Sequence, residues 1–288
     1  MNTNIIDFHV HTFPNKIAAH ALEILSGNSH TKYFTDGTLE SLKESMSNAQ
    51  ISASVLQPVA TKPEQVSKIN DSAININLNQ DKKIFSFGAA HPDCKNIREE
   101  FSKLSNSGVK GVKLHPVYQG LNIDNERFIK ILQIAGEFNL FVMIHAGFDI
   151  GFNGNDNAIP ERISKSLDSA GKNCRVILAH MGGWRCWKDS IKFFAERENV
   201  YIDTAFSLGE FTPNDDNFYT SPNQCKMLSP NEFTRIIKIF GANRVLFGTD
   251  SPWSSQSQCV KDFDSLELNE SEKNLIFYEN AAKILGLN

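Results

Sequence analysis

The chain has 288 residues, of which 41% are hydrophobic and 22% are charged, as is ordinary for a globular protein. Its net charge of −4, without any run of basic residues, argues against a nucleic-acid-binding protein. No signal peptide and no apolar segment of about 20 residues is present, so we expect a cytoplasmic protein that does not enter a membrane. The widely spaced cysteines favour reduced thiols over disulfides or a thiolate zinc site, and they are Cys94, Cys174, Cys186, Cys225 and Cys259.

Short apolar segments rich in β-branched residues predict eight strands. They cover residues 4–10, 51–57, 83–90, 108–115, 140–146, 175–180, 199–205 and 244–250. Helical patterns lie between them, at 38–50 with Thr38 as N-cap, at 125–139, at 231–243 ending at Gly241, and at 271–288 with Ser271 as N-cap. In the second of these helices the apolar positions are Phe128, Ile131, Leu132 and Ala135.

Strands that alternate with helices in this way indicate parallel strands joined by crossover helices. The alternatives are a closed (β/α)8 TIM barrel and an open doubly wound sheet. Eight repeats match the barrel, and the turn "HVHTFP" lacks the glycines of a nucleotide-binding sheet. We therefore predict a distorted (β/α)8 barrel forming a single domain over residues 1–288. Two long connections, 12–37 and 206–230, follow strand ends, where lids and specificity loops are typical.

Polar side chains fall where the predicted strands end. They are, in chain order, His9 and His11, Lys113 and His115, His145, His180, and Asp250. In a barrel these ends meet around one axis, so the side chains are expected to converge at the C-terminal face. Imidazoles and carboxylates suit Zn²⁺, Mn²⁺ or Fe²⁺. Any one of these histidines alone could be a hydrogen-bonded core residue, and Asp250 could be a helix cap, but the set together predicts a metal site.

The remaining histidines and the tryptophans each allow more than one role. His91 also follows a strand, and it is either a turn residue before Pro92 or a substrate contact. His20 and His30 lie in the first long connection and are assigned either to the surface or to substrate contact. The three tryptophans either line a pocket or pack in the core, and they are Trp184, Trp187 and Trp253.

The ordered set of motifs resembles the amidohydrolase superfamily. The matching segments are "DFHVHTFP", "QPVATKP", "GAAHPD", "GVKLHP", "FVMIHAG", "ILAHMGGW", "NVYIDTA", "VLFGTDSPW" and "NAAKILGL". They run along the whole chain and are typical of the amidohydrolase-related (amidohydrolase 2) branch of TIM-barrel metal-dependent hydrolases. That branch also contains decarboxylases similar to aminocarboxymuconate-semialdehyde decarboxylase.

The resemblance implies that His9, His11, His145 and Asp250 bind a divalent metal. Zinc is the expected ion, with manganese and iron as alternatives. His180 would bind a second metal if one is present, and otherwise it would contact the water or the substrate. Asp250 and His180 are the expected catalytic residues. Lys113 and His115 share a strand face, and which of them faces the metal, or whether Lys113 is modified, stays open.

The function implied is a metal-dependent hydrolase acting on an amide, ester or lactone of a small molecule that carries a carboxylate. Lys113, His115, Arg185 and Trp253 are candidates for substrate binding, although Arg185 could equally be a solvated residue at a helix start. The alternative activity is decarboxylation of an unsaturated or aromatic acid at the same metal site. A third class, a barrel retained only for binding, would be expected to lack Asp250 or one of His9 and His11. The branch often forms dimers, which makes a homodimer the expected assembly, although no interface motif is present.

Overall fold

The computed structural model describes residues 4–79, 82–152 and 154–287. The predicted domain over 1–288 and the predicted terminal helix therefore extend slightly outside the described residues. Nine strands are present in this part of the chain. They are β1 Ile6–Val10, β2 Ala53–Leu56, β3 Ile84–Ser86, β4 Gly88–Ala89, β5 Gly111–Leu114, β6 Phe141–Ile144, β7 Arg175–Leu178, β8 Val200–Asp203 and β9 Val245–Leu246.

Helices follow the strands along the described chain. They are α1 Ala18–Ser29, α2 Leu39–Asn48, α3 Val66–Leu78, α4 Ile97–Asn106, α5 Glu126–Glu137, α6 Pro160–Ala170, α7 Trp187–Phe194, α8 Pro222–Cys225, α9 Pro230–Phe240, α10 Gln256–Asp264, α11 Glu270–Asn274 and α12 Asn280–Leu285. Shorter helical turns cover Pro63–Gln65, Ala242–Arg244 and Leu275–Glu279. Among the described residues, no helix has both the length and the apolar character needed to cross a bilayer.

The contacts of the chain group into two compact units. Unit 1 comprises Met1–Ser54, Asp149–Asn153 and Thr204–Asn288, and unit 2 comprises Val55–Phe148 and Gly154–Asp203. The single domain predicted from the sequence stays a prediction.

Unit 2 contains a parallel sheet. Its neighbouring strands are β4, β5, β6, β7 and β8, and each pairs in parallel with the next. These strands are buried almost throughout, which is the physical reason for their continuous apolar sequences. Because the strands are parallel, residues that follow β5, β6 and β7 lie at the same edge of this sheet.

Unit 1 brings the first strand beside the last. Phe8 N donates a hydrogen bond to Phe247 O at 2.7 Å, and Val10 forms a parallel bridge with Ser251. The buried aromatic side chains of Phe247, Phe263 and Phe277 pack edge to face or tilted behind β9, with ring centroids 4.8–5.7 Å apart. The carboxyl end of β1 therefore lies next to the loop that follows β9.

Local signals account for several of the element boundaries. The Thr38 side chain accepts from Ser41 N, as its prediction as N-cap requires, and α9 ends at Gly241 with φ +85°. The predicted N-cap at Ser271 is wrong. Asn269 caps α11 instead, because its side chain accepts from Glu272 N while the Glu272 carboxylate accepts from Asn269 N.

Two further predictions need correction. The third predicted strand is divided at Phe87 into β3 and β4. The connection 12–37 is not a loop throughout, because it contains the three-turn helix α1. That helix has no side-chain N-cap, and three of its four buried positions are small, namely Ala18, Ser26 and Ser29, so the apolar pattern that usually reveals a helix is weak.

Candidate metal centre

Two imidazoles and a carboxylate face one another at the carboxyl end of β1. Nε2 of His11 lies 3.1 Å from Oδ1 of Asp250, and Nε2 of His9 lies 3.5 Å from the same oxygen. The two Nε2 atoms are 3.2 Å apart. We call His9, His11 and Asp250 the His9 triad. Its three ligand atoms all lie within 4.8 Å of one another, as donors to one cation must.

Strand register produces this arrangement. Residues two apart on a strand project to one side, which places His9 and His11 together. Asp250 N donates to His9 O at 2.8 Å, and His11 N donates to Ser251 O at 2.7 Å. Asp250 thus arrives beside the two histidines from more than 230 positions away in the sequence. Its backbone φ of +65° is unusual for a residue other than glycine.

The triad is mostly shielded from solvent. His9 is completely buried, and the side chain of Asp250 is 10% exposed. The side chain of His11 is 18% exposed, so it is the member through which the triad meets solvent. A site of this kind combines a dry interior with one accessible side.

A second cluster occupies the edge of the unit 2 sheet. The His115 ring stacks on the His145 ring with centroids 4.1 Å apart, and Nε2 of His180 lies 3.1 Å from Nδ1 of His145. Tyr118 stacks on His115 at 3.8 Å. We call Tyr118, His115, His145 and His180 the histidine stack. His115, His145 and His180 follow β5, β6 and β7 respectively, as the sequence predicts.

The contacts of His145 are compatible with one tautomer in particular. Nε2 of His145 lies 3.3 Å from the carbonyl oxygen of Phe148, and a carbonyl can only accept. In the tautomer with its proton on Nε2, His145 donates to this carbonyl, and its Nδ1 is available to accept from Nε2 of His180. A metal ion bound at Nε2 of His145 would replace that proton.

A buried carboxylate that the sequence analysis did not select holds His180. Asp203 Oδ1 accepts from His180 N at 2.8 Å, and Asp203 O accepts from Met181 N at 2.8 Å. His180 and Met181 both have positive φ, +61° and +55°. This conformation costs energy for such residues and persists only where neighbouring groups hold it in place. The position of Asp203 at the end of the "YID" strand is the sequence signal that could have identified it.

A close backbone contact fixes the two loops that follow β6 and β7. Trp184 N donates to Ala146 O at 2.8 Å, and Phe148 N donates to Trp184 O at 3.1 Å. Gly147, between them, has φ +88°, and a Cβ atom there would lie 2.2 Å from Trp184 N. Only glycine fits this approach.

The remaining substrate candidates occupy different environments. Lys113 is 1% exposed within β5, whereas His115 is the member of that pair that stacks on His145. Arg185 is exposed, and its guanidinium carbon lies 4.7 Å from the centre of the Trp184 ring. Trp253 lines a cavity of about 360 Å³ within unit 1.

The histidines outside the two clusters also differ. His20 is exposed on α1. His30 binds Asp216 with Nδ1 and Oδ2 2.7 Å apart, and it stacks on Phe218, so the segments 12–37 and 206–230 contact each other. That hydrogen bond lowers the pKa of Asp216. His91 is buried, its Nδ1 accepts from Asp93 N, and burial lowers its pKa.

Asp7 is a second buried carboxylate for which the sequence analysis gave no role. It lies two residues before His9 on β1 and is 0% exposed. Burial raises the pKa of Asp7 to about 6, an effect that its hydrogen bonds from Gln256, Thr249 and His9 partly offset. The i, i+2, i+4 spacing of Asp7, His9 and His11 is the sequence signal that connects it to the triad.

Solved structures of low sequence identity share this fold. An uncharacterised TIM-barrel protein from Bordetella bronchiseptica superposes with a TM-score of 0.75 at 18% identity, covering 99% of each chain. A Pseudomonas putida protein named as a candidate 2-pyrone-4,6-dicarboxylic acid hydrolase has a TM-score of 0.66 at 15% identity, covering 100% of this chain and 99% of its own. These likenesses confirm the predicted TIM-barrel fold.

A third similar structure contains a metal. It is a dihydroxybenzoic acid decarboxylase from Polaromonas sp. JS666 with bound manganese and the inhibitor 2-nitroresorcinol. Its TM-score is 0.65 at 14% identity, covering 99% of this chain and 97% of the other. Both hydrolases and decarboxylases therefore occur among proteins with this fold.

Sequence comparisons complete the assignment. No curated protein matches the chain. The amidohydrolase family model Amidohydro_2 matches residues 6–287, from the strand that carries the first two histidines to the end of the terminal helix. The chain belongs to this amidohydrolase family.

Proposed function

We propose that this protein is a metal-dependent hydrolase of a small molecule that carries a carboxylate, and that the His9 triad holds the metal. The observation that supports the proposal is the spacing of the triad. Around a zinc ion, ligand atoms at about 2.1 Å in tetrahedral directions lie about 3.4 Å from one another. The three separations in the triad are 3.1, 3.2 and 3.5 Å.

The donor set also fits a catalytic ion. Three protein ligands leave a position for water or substrate, as catalytic zinc sites require. The single carboxylate offsets part of the positive charge, and the exposed side of His11 leaves access for a small molecule. Zinc is the proposed ion, and manganese and iron suit the same donors. His145 as a fourth ligand stays a prediction from the resemblance.

The protein groups have separate proposed roles. A bound divalent cation would lower the pKa of a coordinated water toward about 7 and polarise a carbonyl oxygen. Asp250 accepts the proton that the attacking water loses. His180 delivers a proton to the leaving group, and its hydrogen bond to Nδ1 of His145 orients its ring for that task. Arg185, held over the Trp184 ring, is the proposed contact for a substrate carboxylate.

Decarboxylation of an unsaturated or aromatic acid is the second candidate. The observation in its favour is the likeness to a dihydroxybenzoic acid decarboxylase that binds manganese. This reaction uses the same residues but needs a proton donor for the carbon that loses its carboxylate, and His180 is again the proposed donor. The two reactions differ in their products, CO₂ in one case and a hydrolysed acid in the other.

Metal analysis is the first test. We expect the purified protein to contain close to one equivalent of zinc, manganese or iron, or to bind one after chelator treatment. Protein that neither contains nor binds any of these ions would contradict the proposal and would favour a barrel used only for binding.

Product analysis is the second test. The loaded protein is incubated with a panel of carboxylated lactones and amides and with a panel of hydroxybenzoates, and chromatography and CO₂ release are measured. Asp250→Asn should abolish turnover on whichever panel reacts, while His180→Ala should lower kcat by about 100-fold. Turnover of Asp250→Asn near the wild-type rate would contradict the assignment of Asp250. Release of CO₂ without any hydrolysed product would show that the protein is a decarboxylase and would contradict the proposed hydrolysis.

The predicted homodimer and cytoplasmic location stay predictions. Size-exclusion chromatography with light scattering tests the first, and cell fractionation tests the second.

A further inference from the structure

Behind the His9 triad, the buried carboxylate of Asp7 receives four hydrogen bonds. Its Oδ1 accepts from His9 N at 3.2 Å and from Thr249 N at 3.0 Å. Its Oδ2 accepts from Thr249 Oγ1 at 2.6 Å and from Gln256 Nε2 at 2.7 Å. Asp7 is therefore bonded to one triad residue directly and to the neighbour of another.

Ser251, the residue that follows Asp250, belongs to the same hydrogen-bond network. Ser251 N donates to Thr249 Oγ1 at 3.1 Å, so the Thr249 hydroxyl accepts from Ser251 while it donates to Asp7. Thr249 and Ser251 flank Asp250, and both are 1% exposed or less. The loop carrying Asp250 is thus fixed on both sides of the ligand.

This network has a specific geometric task. Asp250 has φ +65°, a conformation that is unfavourable for a residue other than glycine and persists only where its surroundings enforce it. The bonds that Asp7 accepts from His9 N and from Thr249 enforce this conformation from strand β1. Every donor in the network is within one residue of a triad member except Gln256, which comes from α10.

We propose that Asp7, together with Thr249 and Gln256, is the positioning group that holds His9 and Asp250 at the separation a cation requires. This inference rests on the proposed function, because it assumes that the His9 triad binds a metal. Asp7 does not touch the metal or the substrate in this proposal. It acts through the backbone of His9 and through the loop 249–251.

The alternative is that Asp7 only stabilises the fold, and metal affinity distinguishes the two. Asp7→Asn places an amide N–H donor against the donors Thr249 Oγ1 and Gln256 Nε2. Thr249→Val removes the hydroxyl that links Asp7 to Ser251 N. Loss of a group that orients a metal ligand typically lowers affinity about 10–100-fold, and we expect losses in that range for both variants. Thr249→Ser keeps the hydroxyl and should restore the wild-type affinity.

Thr31→Val is the matched control. Thr31 lies in the same unit, is 2% exposed, and its hydroxyl is 2.6 Å from Ser29 Oγ, without bonding to any triad residue. The variant should lower the melting temperature as Thr249→Val does, while its metal affinity stays within about twofold of wild type. The dissociation constant for zinc is measured by competition with a chromogenic chelator, and the melting temperature by circular dichroism.

A third variant serves if Asp7→Asn and Thr249→Val do not fold. Gln256→Met removes the hydrogen bond that Gln256 Nε2 donates to Asp7. It is the mildest of the three changes, because the other polar atom of that side chain, Oε1, has no hydrogen-bond partner among the described residues. A zinc affinity lowered by several-fold supports the proposal. Wild-type affinity in Gln256→Met and in every folded variant of Asp7 and Thr249 overturns it. Wild-type protein that binds no zinc, manganese or iron instead overturns the proposed function.

Discussion

The two histidine clusters differ in how their rings are arranged. The His9 triad contains a carboxylate, and its three ligand atoms converge within 4.8 Å. The histidine stack consists of aromatic rings, with His115 stacked between Tyr118 and His145 at centroid distances of 3.8 and 4.1 Å. A converging set that includes a carboxylate suits a cation, whereas stacked rings linked by a hydrogen bond between ring nitrogens suit proton transfer and substrate contact.

The supports of the two clusters differ as well. A buried side-chain network, centred on Asp7, surrounds the residues that carry the triad. Two different contacts position the stack, namely the bond from the amide of His180 to the carboxylate of Asp203 and the close backbone approach of Gly147 to Trp184. The triad should therefore respond to side-chain polarity, and the loops beside the stack should respond to side-chain volume at Gly147 as well.

Removing a triad ligand should produce the largest effect. Loss of a group that only orients a ligand costs about 10–100-fold in metal affinity, so loss of the ligand itself in Asp250→Ala should exceed about 1000-fold. His115→Ala removes a ring of the stack and should leave the zinc dissociation constant within about threefold of wild type. Equilibrium chelator competition measures both.

The same two variants also test whether only the His9 triad binds the metal. If His115→Ala lost zinc as completely as Asp250→Ala, the histidine stack would be part of the metal shell and the division of roles would be wrong. Circular dichroism of both variants establishes that they are folded before their affinities are compared.

Gly147→Ala should produce the next largest effect. The added Cβ would lie 2.2 Å from Trp184 N and 2.4 Å from Trp184 O, so the backbone of one loop must move. Overpacking and strained φ together should lower the free energy of unfolding by about 3 kcal/mol or more, measured by urea denaturation. Gly108→Ala is the control, because Gly108 has a similar φ of +81° but no atom within 4 Å of an added Cβ.

The two substitutions separate conformational cost from steric cost. Gly108→Ala should lower the free energy of unfolding by about 1–2 kcal/mol through φ alone. Equal losses in the two variants would show that the approach of Trp184 to Gly147 is not what positions the loops.

Much of the triad could be predicted from sequence because its signals are local. H-x-H at the end of an apolar run places two imidazoles together whatever the rest of the fold does. Asp250 follows a second apolar run, and parallel strands bring such ends to one edge. His115, His145 and His180 were placed at strand ends by the same reasoning.

The supporting residues could not be predicted in the same way. The carboxylates of Asp203 and Asp7 accept from the backbone amides of His180 and Thr249, which come close only after folding, and no spacing within the sequence encodes those pairs. Helix α1 was missed because burial of small residues such as Ala18 and Ser26 leaves little apolar periodicity. The cap at Asn269 was missed because Ser271 is also an acceptable N-cap, and only the reciprocal bonds with Glu272 distinguish them.

The smallest expected effect concerns a buried histidine of unit 2 outside the stack. Burial lowers the pKa of His91 below its ordinary value of 6.5, against the opposing charges of Asp93 and Glu64. As the pH falls below 6.5, His91 takes up a proton in the unfolded chain, whereas in the folded chain it takes up that proton only at a lower pH. The free energy of unfolding should therefore fall as the pH drops from about 7.5 to 5.5.

His91→Asn removes the titration but keeps an oxygen acceptor for the amide of Asp93. Its urea-unfolding free energy should decline less steeply over that interval than that of the wild type. Parallel pH profiles would show that unit 2 does not hold this imidazole in its neutral form. A shallower profile of the variant would show that burial in unit 2 favours the uncharged form of His91.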